Sequence, residues 1–255
     1  MLLTMDVGNT NIKFGLWIEN KMEFNWRITT RLSSSGDELG MVVETFLRLQ
    51  GYALRDIEDL VVASVVLPMR PAIERLGARY LGKAPIFVDV LTQSLMPVLY
   101  LNPAEVGTDR VVGAIAAYRH FQTRTIVVDF GTATTFDCVS EAGEYLGGAI
   151  SPGFRLSADA LFNKARRLPR LEQFYKPDQA IARDTRNSLN AGLVLGYAGL
   201  VEGMVNRIIK EMGQAKVVAT GGLATLIASE AQVIEKIMPD LTMEGLKIIY
   251  DEKAY

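Results

Sequence analysis

The sequence predicts an α/β protein built from two similar halves that face each other across a cleft. Two short segments, Asp6–Asn11 and Asp129–Thr134, share an aspartate, then any residue, then a glycine followed by small side chains. Each segment follows an apolar, β-branched run and leads into a second apolar run, which predicts a strand, a turn and another strand. A repeat of this size fixes the architecture, because it implies that the two halves follow one plan.

The first half is predicted to begin with three antiparallel strands, at Leu2–Met5, Ile12–Ile18 and Met22–Ile28. Ser35 and Glu38 have the spacing of a capping box, so a helix is expected to begin there and to end at Gly51. The other predicted elements of this half are a strand at Leu60–Val66, a helix at Pro71–Leu81, a strand at Ile86–Val90 and a helix from Asn102 to about Tyr118.

The second half repeats this plan. Its predicted elements are strands at Thr125–Asp129, Thr134–Val139 and Glu144–Ile150, helices at Leu156–Ala165 and Ser188–Met212, a strand at Lys216–Thr220 and a helix after Gly221–Gly222. Both halves are expected to contain three strands, a helix, a strand and a helix, with one more strand in the first half. We place the division in the helix near Gly113–Phe121, which gives predicted domains of residues 1–115 and 116–255.

The amino-acid composition argues against several classes of function. The 255 residues are 49% hydrophobic and 22% charged, which is typical of a folded chain with a core in each half. The net charge of −2 argues against nucleic acid as a partner, and the densest basic segment, Lys164–Arg167, is expected to be a solvated helix end. The uncharged stretch Asn187–Val201 is too short and too polar to span a bilayer. The single cysteine, Cys138, and the lack of a signal-peptide pattern favour a cytoplasmic protein.

The single histidine, His120, disfavours two further classes of enzyme. It lies at the predicted end of a helix, where a capping or surface role is the ordinary interpretation. A Ser–His–Asp hydrolase would have to use this one imidazole. A zinc site would need carboxylates in addition to one histidine and one cysteine.

The two aspartate–glycine turns have the residue types that a phosphate site requires. In Asp6–Lys13 the glycine allows close backbone approach, the carboxylate can hold Mg²⁺ through water, and Lys13 adds a cation. An ordinary β-hairpin turn would use the same residues, so this segment alone leaves both interpretations open. The second turn, Asp129–Thr135, favours the phosphate site, because its carboxylate follows a buried strand and needs a partner or a cation.

Two further segments carry candidate chemistry. Glu105–Arg110 contains Gly and Thr, which are poor inside a helix, so it is expected to be a loop or a helix entry. By spacing alone, Asp109 and Arg110 favour an exposed ion pair, and the alternative is a proton acceptor beside an anion-binding cation. Thr220–Gly222 places bare backbone at the end of a strand, which suits either a nucleotide or a tight turn.

Taken together, these segments resemble the type III pantothenate kinases, within the wider superfamily of actin, Hsp70 and sugar kinases. The resemblance extends from Met1 to about Ile249 and rests on five segments in the family's order, namely Asp6–Asn11, Glu105–Arg110, Asp129–Thr135, Gly147–Gly153 and Ala219–Leu223. Ser64–Pro68 also resembles a family segment. The resemblance implies two tandem ribonuclease H-like (actin-like ATPase) domains, and ATP-dependent phosphorylation of pantothenate in the first step of coenzyme A biosynthesis.

The resemblance also implies roles for individual residues. Asp109 would be the general base. ATP and Mg²⁺ would be bound by Asp6, Val7, Gly8, Asn9, Thr10, Asn11, Ile12 and Lys13, with Asp6 holding Mg²⁺ through water, and ATP also by Thr132, Gly221 and Gly222. Pantothenate would contact Tyr100, Gly107, Thr108, Asp109, Arg110 and Thr185. Asp129 would bind a monovalent cation, K⁺ or NH₄⁺, and the chain would form a homodimer in which Thr185 reaches the pocket of the partner subunit.

Other functions of this superfamily stay open at this point. A nucleotide-driven switch of the actin or Hsp70 type would have no evident use for Asp109 and Arg110. A nucleotide-binding regulator is a second alternative, since some relatives of the family are described as accessory transcription factors. Another small-molecule kinase, or a phosphatase acting on polyphosphate or guanosine phosphates, is a third, although a phosphatase would not need Glu105–Arg110.

Overall fold

The computed structural model describes residues 1–165 and 167–255, which form two compact units. Unit 1 comprises Met1–Ala116 and Thr242–Tyr255, and unit 2 comprises Ala117–Leu241. The division predicted from the sequence, 1–115 and 116–255, therefore differs from these units at the C-terminus, where Thr242–Tyr255 packs with unit 1. The basic segment Lys164–Arg167 includes Arg166, which lies outside the described residues.

A five-stranded sheet forms the centre of unit 1. Its strands are β1 (Leu2–Val7), β2 (Asn11–Ile18), β3 (Lys21–Thr29), β4 (Asp59–Ser64) and β5 (Ile86–Phe87), in the order β3-β2-β1-β4-β5. The first three strands are antiparallel, and β4 and β5 run parallel to β1. All six residues of β1 are buried, as expected for a central strand. Strand β5 is shorter than predicted, and beyond it Asp89 accepts a hydrogen bond from the N–H of Leu91 at 2.7 Å, within a turn.

Helix α1 (Gly36–Leu49) begins at the predicted capping box. The N–H of Glu38 donates to Oγ of Ser35 at 3.1 Å, and the N–H of Ser35 donates to Oε2 of Glu38 at 2.7 Å. Helix α2 (Arg70–Leu76) is shorter than predicted, because the chain widens into a single π-helical turn at Gly77–Leu81. The helix predicted to begin at Asn102 begins later in the structure. Pro103–Glu105 form one tight turn, and helix α3 (Thr108–Phe121) follows it.

Unit 2 contains a second five-stranded sheet with the same topology. Its strands are β6 (Thr125–Phe130), β7 (Ala133–Val139), β8 (Tyr145–Pro152), β9 (Lys216–Gly221) and β10 (Lys236–Ile237), in the order β10-β9-β6-β7-β8. Each sheet has an antiparallel run of three strands with two parallel strands added beside the first, which confirms the predicted repeat. The expectation of one more strand in the first half is wrong, because β10 pairs with β9. This strand has two residues, both exposed, and so leaves no apolar run in the sequence.

The helices of unit 2 are α4 (Phe154–Lys164), α5 (Thr185–Met212) and α6 (Ala224–Ala228). Among the described residues, α5 is the one helix whose length and composition would allow it to cross a membrane, and 44% of its most apolar window is buried in the structure. Core helices of soluble proteins have the same properties. The buried side of α5, which includes Val194, Val201 and Val205, belongs to the hydrophobic core of unit 2.

Helix α7 (Leu241–Asp251) completes unit 1 and was not predicted. A β-carbon built on Gly245 would lie 2.1 Å from the carbonyl oxygen of Val112, so the backbones of α7 and α3 are in close contact there. The hydroxyl of Tyr250 donates to Oδ2 of Asp59 at 2.5 Å. This hydrogen bond, together with burial, raises the pKa of Tyr250 to about 12.

Candidate active site

The first predicted turn begins with a buried aspartate at the end of β1. Asp6 is 7% exposed and stands opposite Lys13 in the β1–β2 pairing. Nζ of Lys13 lies 3.9 Å from Oδ2 of Asp6, which gives the carboxylate the cationic neighbour that a buried charge requires. The structure of unit 1 thus places these two predicted site residues next to each other.

The turn itself exposes backbone. Val7 and Ile12 are fully buried and anchor its two ends, whereas Asn9 and Thr10 are exposed. The N–H of Gly8 donates to the carbonyl oxygen of Asn11 at 3.0 Å and closes the turn. A tight turn of this kind, with small exposed residues, is suited to holding an anion by its backbone N–H groups.

The Glu105–Arg110 segment lies at the same end of this sheet. The N–H of Val65, just beyond β4, donates to the carbonyl oxygen of Val7 at 3.1 Å. A β-carbon built on Gly107 would lie 3.4 Å from Cγ1 of Val65 and 2.6 Å from Oδ1 of Asp109. Val65 therefore borders both the first turn and the loop that carries Asp109, and unit 1 brings these two predicted segments together.

Asp109 lies in the first turn of α3. The prediction of a helix entry is confirmed, since the N–H of Arg110 donates to the carbonyl oxygen of Gly107 at 3.1 Å. Oδ1 of Asp109 also accepts a hydrogen bond from the N–H of Arg110 at 2.9 Å. Asp109, Arg110 and Thr108 are all partly buried, so an exposed surface pair does not describe this arrangement. The positive end of the helix dipole favours the ionised carboxylate at this position.

Unit 2 brings together the second turn and the segment Thr220–Gly222. On its strand, Asp129 stands between Thr135 of β7 and Thr220 of β9. A β-carbon built on Gly221, whose φ is +92°, would lie 2.5 Å from Oδ1 of Asp129 and 2.6 Å from the carbonyl oxygen of Phe130. Two oxygen atoms of the second turn therefore border the space that the missing side chain leaves. Oxygen donors of this kind fit a hard cation.

The exposed end of the second turn rests on the start of α4. Thr132 is exposed, and a β-carbon built on Gly153 would lie 2.2 Å from its carbonyl oxygen. Thr134 and Tyr197 share a hydrogen bond of 2.7 Å between their hydroxyl oxygens, and the Tyr197 hydroxyl also lies 2.7 Å from the carbonyl oxygen of Pro152. These contacts fix the backbone of the turn and leave the Thr132 side chain accessible.

The sequence profile of the type III pantothenate kinases matches residues 2–207. The chain belongs to the type III pantothenate kinase family. A relative from Syntrophotalea carbinolica with the name type III pantothenate kinase is 52% identical over 251 residues, which are 98% of each chain. The resemblance inferred from the five sequence segments is thus confirmed.

Solved structures of lower identity show the fold of this type III pantothenate kinase. A protein from Campylobacter jejuni described as a Baf family transcriptional activator aligns with a TM-score of 0.59 and 19% identity, over 99% of this chain and 98% of the other. A ROK family glucokinase from Streptomyces griseus, solved with glucose and AMPPNP, aligns with a TM-score of 0.58 and 10% identity, over 97% of this chain and 98% of the other. The predicted fold of tandem ribonuclease H-like domains is confirmed.

Two predicted substrate residues of this type III pantothenate kinase lie outside the segments described above. Tyr100 is partly buried in unit 1, shortly before the tight turn at Pro103–Glu105. Thr185 is the exposed first residue of α5 in unit 2, next to the N-cap residue Asp184. A hydrogen bond from the N–H of Asn187 lowers the pKa of the Asp184 carboxyl below its ordinary value. Thr185 thus begins a well-capped helix.

Two polar residues beside these turns were not predicted from the sequence. Asp137 is 2% exposed, and its carboxylate accepts hydrogen bonds from Thr135 at 2.8 Å and from Tyr145 at 2.7 Å. An aspartate within an otherwise apolar strand was the available signal for it. Thr30 follows β3 and donates hydrogen bonds to carbonyl oxygens of the first turn. No sequence pattern indicated this role, because the contact depends on strand register.

Metal ligands are sparse in the part of the chain that the structure describes. Within it, no group of three or more His, Cys, Asp or Glu side chains is placed to hold a metal ion. A divalent ion at Asp6 would therefore take its other ligands from water and from phosphate oxygens. This fits Mg²⁺, which usually keeps several waters and binds one or two carboxylates together with substrate phosphates.

Proposed function

We propose that this chain transfers the γ-phosphoryl group of ATP to the primary alcohol of pantothenate, the first step of coenzyme A biosynthesis, with Asp109 as the general base. Membership of the type III pantothenate kinase family supports the reaction. The observation that carries the role of Asp109 is its position at the start of α3, next to Gly107, which borders the same Val65 as the first turn does. Cys138 is buried and is the single cysteine of the chain, which is compatible with a reducing cytoplasm.

In unit 1, the residues Asp6 to Lys13 would bind the phosphates. The backbone N–H groups of the exposed residues Asn9 and Thr10 would donate to phosphate oxygens, Gly8 would allow close approach, and Lys13 would add positive charge. Asp6 would hold Mg²⁺ through water, and the bound ion would neutralise part of the phosphate charge. Phosphoryl transfer depends on alignment and charge stabilisation more than on covalent chemistry. The residues of the first turn are of the types that these two tasks require.

The acceptor alcohol would lie against the loop that precedes α3. A primary alcohol is a poor nucleophile at neutral pH, and a carboxylate within about 3 Å can take its proton as transfer proceeds. Asp109 would perform this step. Gly107, Thr108, Arg110, Tyr100 and Thr185 would contact pantothenate, and Arg110 supplies a cation suited to its carboxylate.

In unit 2, Thr132, Gly221 and Gly222 would contact ATP, and Asp129 would bind K⁺ or NH₄⁺. The carbonyl oxygen of Phe130 borders the same space above Gly221 and would be a second oxygen ligand. The monovalent cation supplies further compensation of phosphate charge when bound. Gly221 and Gly222 contribute backbone without side chains, which allows the close approach of a nucleotide.

We also propose that the active form is a homodimer that uses α5. Gly192, Gly196, Gly199 and Gly203 recur at helical spacing and are exposed. A β-carbon built on any of them would meet no described atom within 4 Å. The adjacent Leu200 is 37% exposed, so one side of an apolar helix is left without cover from its own chain. A second copy, related by a twofold axis, would cover this surface with itself.

The decisive experiment compares ADP formation by the wild-type protein and by Asp109→Asn, in the presence of Mg-ATP and K⁺, with and without pantothenate. We expect ADP formation that requires pantothenate, and a decrease in kcat of roughly 10²–10⁴ in the variant with little change in ATP binding. Glu105→Gln is the matched control, because Glu105 is exposed in the same loop and bonds to Asn102 at 2.9 Å.

Three results would contradict this proposal. ATP hydrolysis by the wild-type protein that is independent of pantothenate would favour a nucleotide-driven switch. Full activity in Asp109→Asn would remove Asp109 from the chemistry even if the chain is a kinase. Nucleotide binding without turnover of any acceptor would favour a regulator.

A further inference from the structure

We propose that Thr30 is a positioning residue that holds the backbone of the first turn in the orientation needed to receive phosphate. The inference rests on the proposed phosphate-binding function of Asp6–Lys13. It concerns a residue outside that segment, in the first position after β3. Thr30 is partly buried, and both of its hydrogen-bond donors are directed to the turn.

The contacts of Thr30 involve two different peptide groups. Its hydroxyl donates to the carbonyl oxygen of Gly8 at 2.6 Å, which is a short hydrogen bond. Its backbone N–H donates to the carbonyl oxygen of Thr10 at 2.9 Å. Together with the bond from Gly8 to Asn11, these contacts occupy three carbonyl oxygens within four successive residues of the turn.

These bonds determine where the N–H groups of the turn are directed. A peptide unit is planar and trans, so its C=O and N–H point in opposite directions. Because the carbonyl of Gly8 is directed to Thr30, the N–H of Asn9 in the same peptide unit is directed away from Thr30. In the same way, the carbonyl of Thr10 is directed to Thr30, so the N–H of Asn11 is directed away from it. Because an anion is bound by N–H groups that share one direction, the Thr30 hydroxyl fixes the donor side of the turn before any phosphate arrives.

Strand register places Thr30 at this position. In the β2–β3 pairing Asn11 stands opposite Thr29, so the next pair along is Thr10 and Thr30. The register shifts by one residue between Leu16 and Trp17, at a β-bulge that leaves Glu23 without an opposite residue. Without this extra residue, Thr29 would stand opposite Thr10, and Thr30 would lie one position further along, beyond the residues that contact the turn.

The test uses three single variants. Thr30→Val removes the hydroxyl and keeps the β-branched shape, whereas Thr30→Ser restores the hydroxyl. Thr45→Val is the matched control, because the hydroxyl of Thr45 donates to the carbonyl oxygen of Met41 at 2.7 Å on the exposed side of α1. Calorimetric titration with Mg-AMPPNP gives the Kd of each protein, and steady-state assays give KM for ATP and for pantothenate.

For Thr30→Val we expect a Kd for Mg-AMPPNP and a KM for ATP about three- to tenfold above the wild-type values, the size expected for one hydrogen bond. KM for pantothenate should change less than twofold. Thr30→Ser and Thr45→Val should match the wild type. A general loss of fold would instead lower the urea midpoint and affect both substrates.

Wild-type affinity for Mg-AMPPNP in Thr30→Val would overturn the inference, as would an equal loss of affinity in a folded Thr30→Ser protein. The titration is also independent of the acceptor. If the wild-type protein binds Mg-AMPPNP but does not phosphorylate pantothenate, the proposed function fails while the comparison of Thr30 variants still decides the inference.

Discussion

Gly221 and Asp129 share one small space in unit 2. A β-carbon built on Gly221 would lie 2.5 Å from Oδ1 of Asp129, a separation that real contacts do not show. It would also lie 2.6 Å from the carbonyl oxygen of Phe130, and the φ of Gly221 is +92°. Glycine at this position therefore keeps two oxygens of the second turn unobstructed on their common side.

Gly221→Ala is expected to decrease the free energy of unfolding by about 1–3 kcal/mol more than Gly213→Ala, because only the first inserts a methyl group against backbone and a carboxylate. Gly213 is a matched control in the same unit: its φ is +88°, and a β-carbon there would meet only the side chain of Arg124, at 3.3 Å. Urea unfolding of the two variants measures the difference. Equal losses would show that backbone strain alone requires glycine at position 221.

Asp129→Asn is expected to abolish stabilisation by K⁺. A cation that binds only the folded state raises the melting temperature by an amount that increases with its concentration relative to its Kd. The wild-type protein should therefore have a higher melting temperature in KCl than in choline chloride at equal ionic strength, and the variant should not. Asp178→Asn, at an exposed position of the same unit, serves as the control. Persistence of the K⁺ shift in Asp129→Asn would place the cation elsewhere.

Gly196→Leu is expected to convert a dimer into a monomer that is folded. A β-carbon built on Gly196 would meet no described atom within 4 Å, so the substitution should not disturb the helix, but the leucine side chain would block close packing with a second copy. Sedimentation velocity would measure the mass of the variant beside Glu44→Leu, which adds leucine at an exposed position of α1. A wild-type monomer, or a variant that stays dimeric, would contradict the proposed interface.

The stability of unit 1 is expected to decrease as the pH rises above 10. The hydrogen bond to Asp59 raises the pKa of Tyr250 to about 12, from an ordinary value of 10.0. Between pH 10 and pH 12 the folded state keeps the proton of the Tyr250 hydroxyl, whereas the unfolded state releases it. The contribution of this hydrogen bond to the free energy of unfolding is therefore complete below pH 10 and is lost as the pH rises toward 12. Tyr250→Phe should remove this part of the pH dependence.

Urea midpoints at pH 9 and pH 11 measure this effect. The control is Tyr118→Phe, since the hydroxyl of Tyr118 bonds to the carbonyl oxygen of Glu141 at 3.1 Å rather than to a carboxylate. If the midpoints of Tyr250→Phe and of the wild type decrease equally between the two pH values, the hydrogen bond to Asp59 does not contribute.

Local patterns predicted much of this fold and the location of its candidate segments. The aspartate–glycine turns, the capping box of Ser35 and Glu38, and the helix entry at Asp109 all depend on residues close in sequence. The similarity of the two halves followed from the repeat, whereas the order of strands in each sheet came from the structure. The association of Val65 with both Val7 and Gly107 needed the structure, since these residues are distant in the chain.

The elements that were missed depend on tertiary context. Strand β10 has only two residues and exists because β9 offers a free edge. The role of Thr30 follows from a bulge in the β2–β3 pairing, which no composition signal reveals. Helix α7 has a readable pattern of buried residues at Leu241, Leu246 and Ile249, but its membership of unit 1 depends on contacts with distant residues.

Helix α7 has a consequence for how the chain matures. Unit 1 begins at Met1, yet the helix that covers Val112 is encoded after all of unit 2. During translation the strands of unit 1 are synthesised before α7, so this unit cannot be complete until the whole of unit 2 has also been synthesised. Unit 2 is continuous in sequence and can fold during this interval. The order of completion is thus the reverse of the order of synthesis.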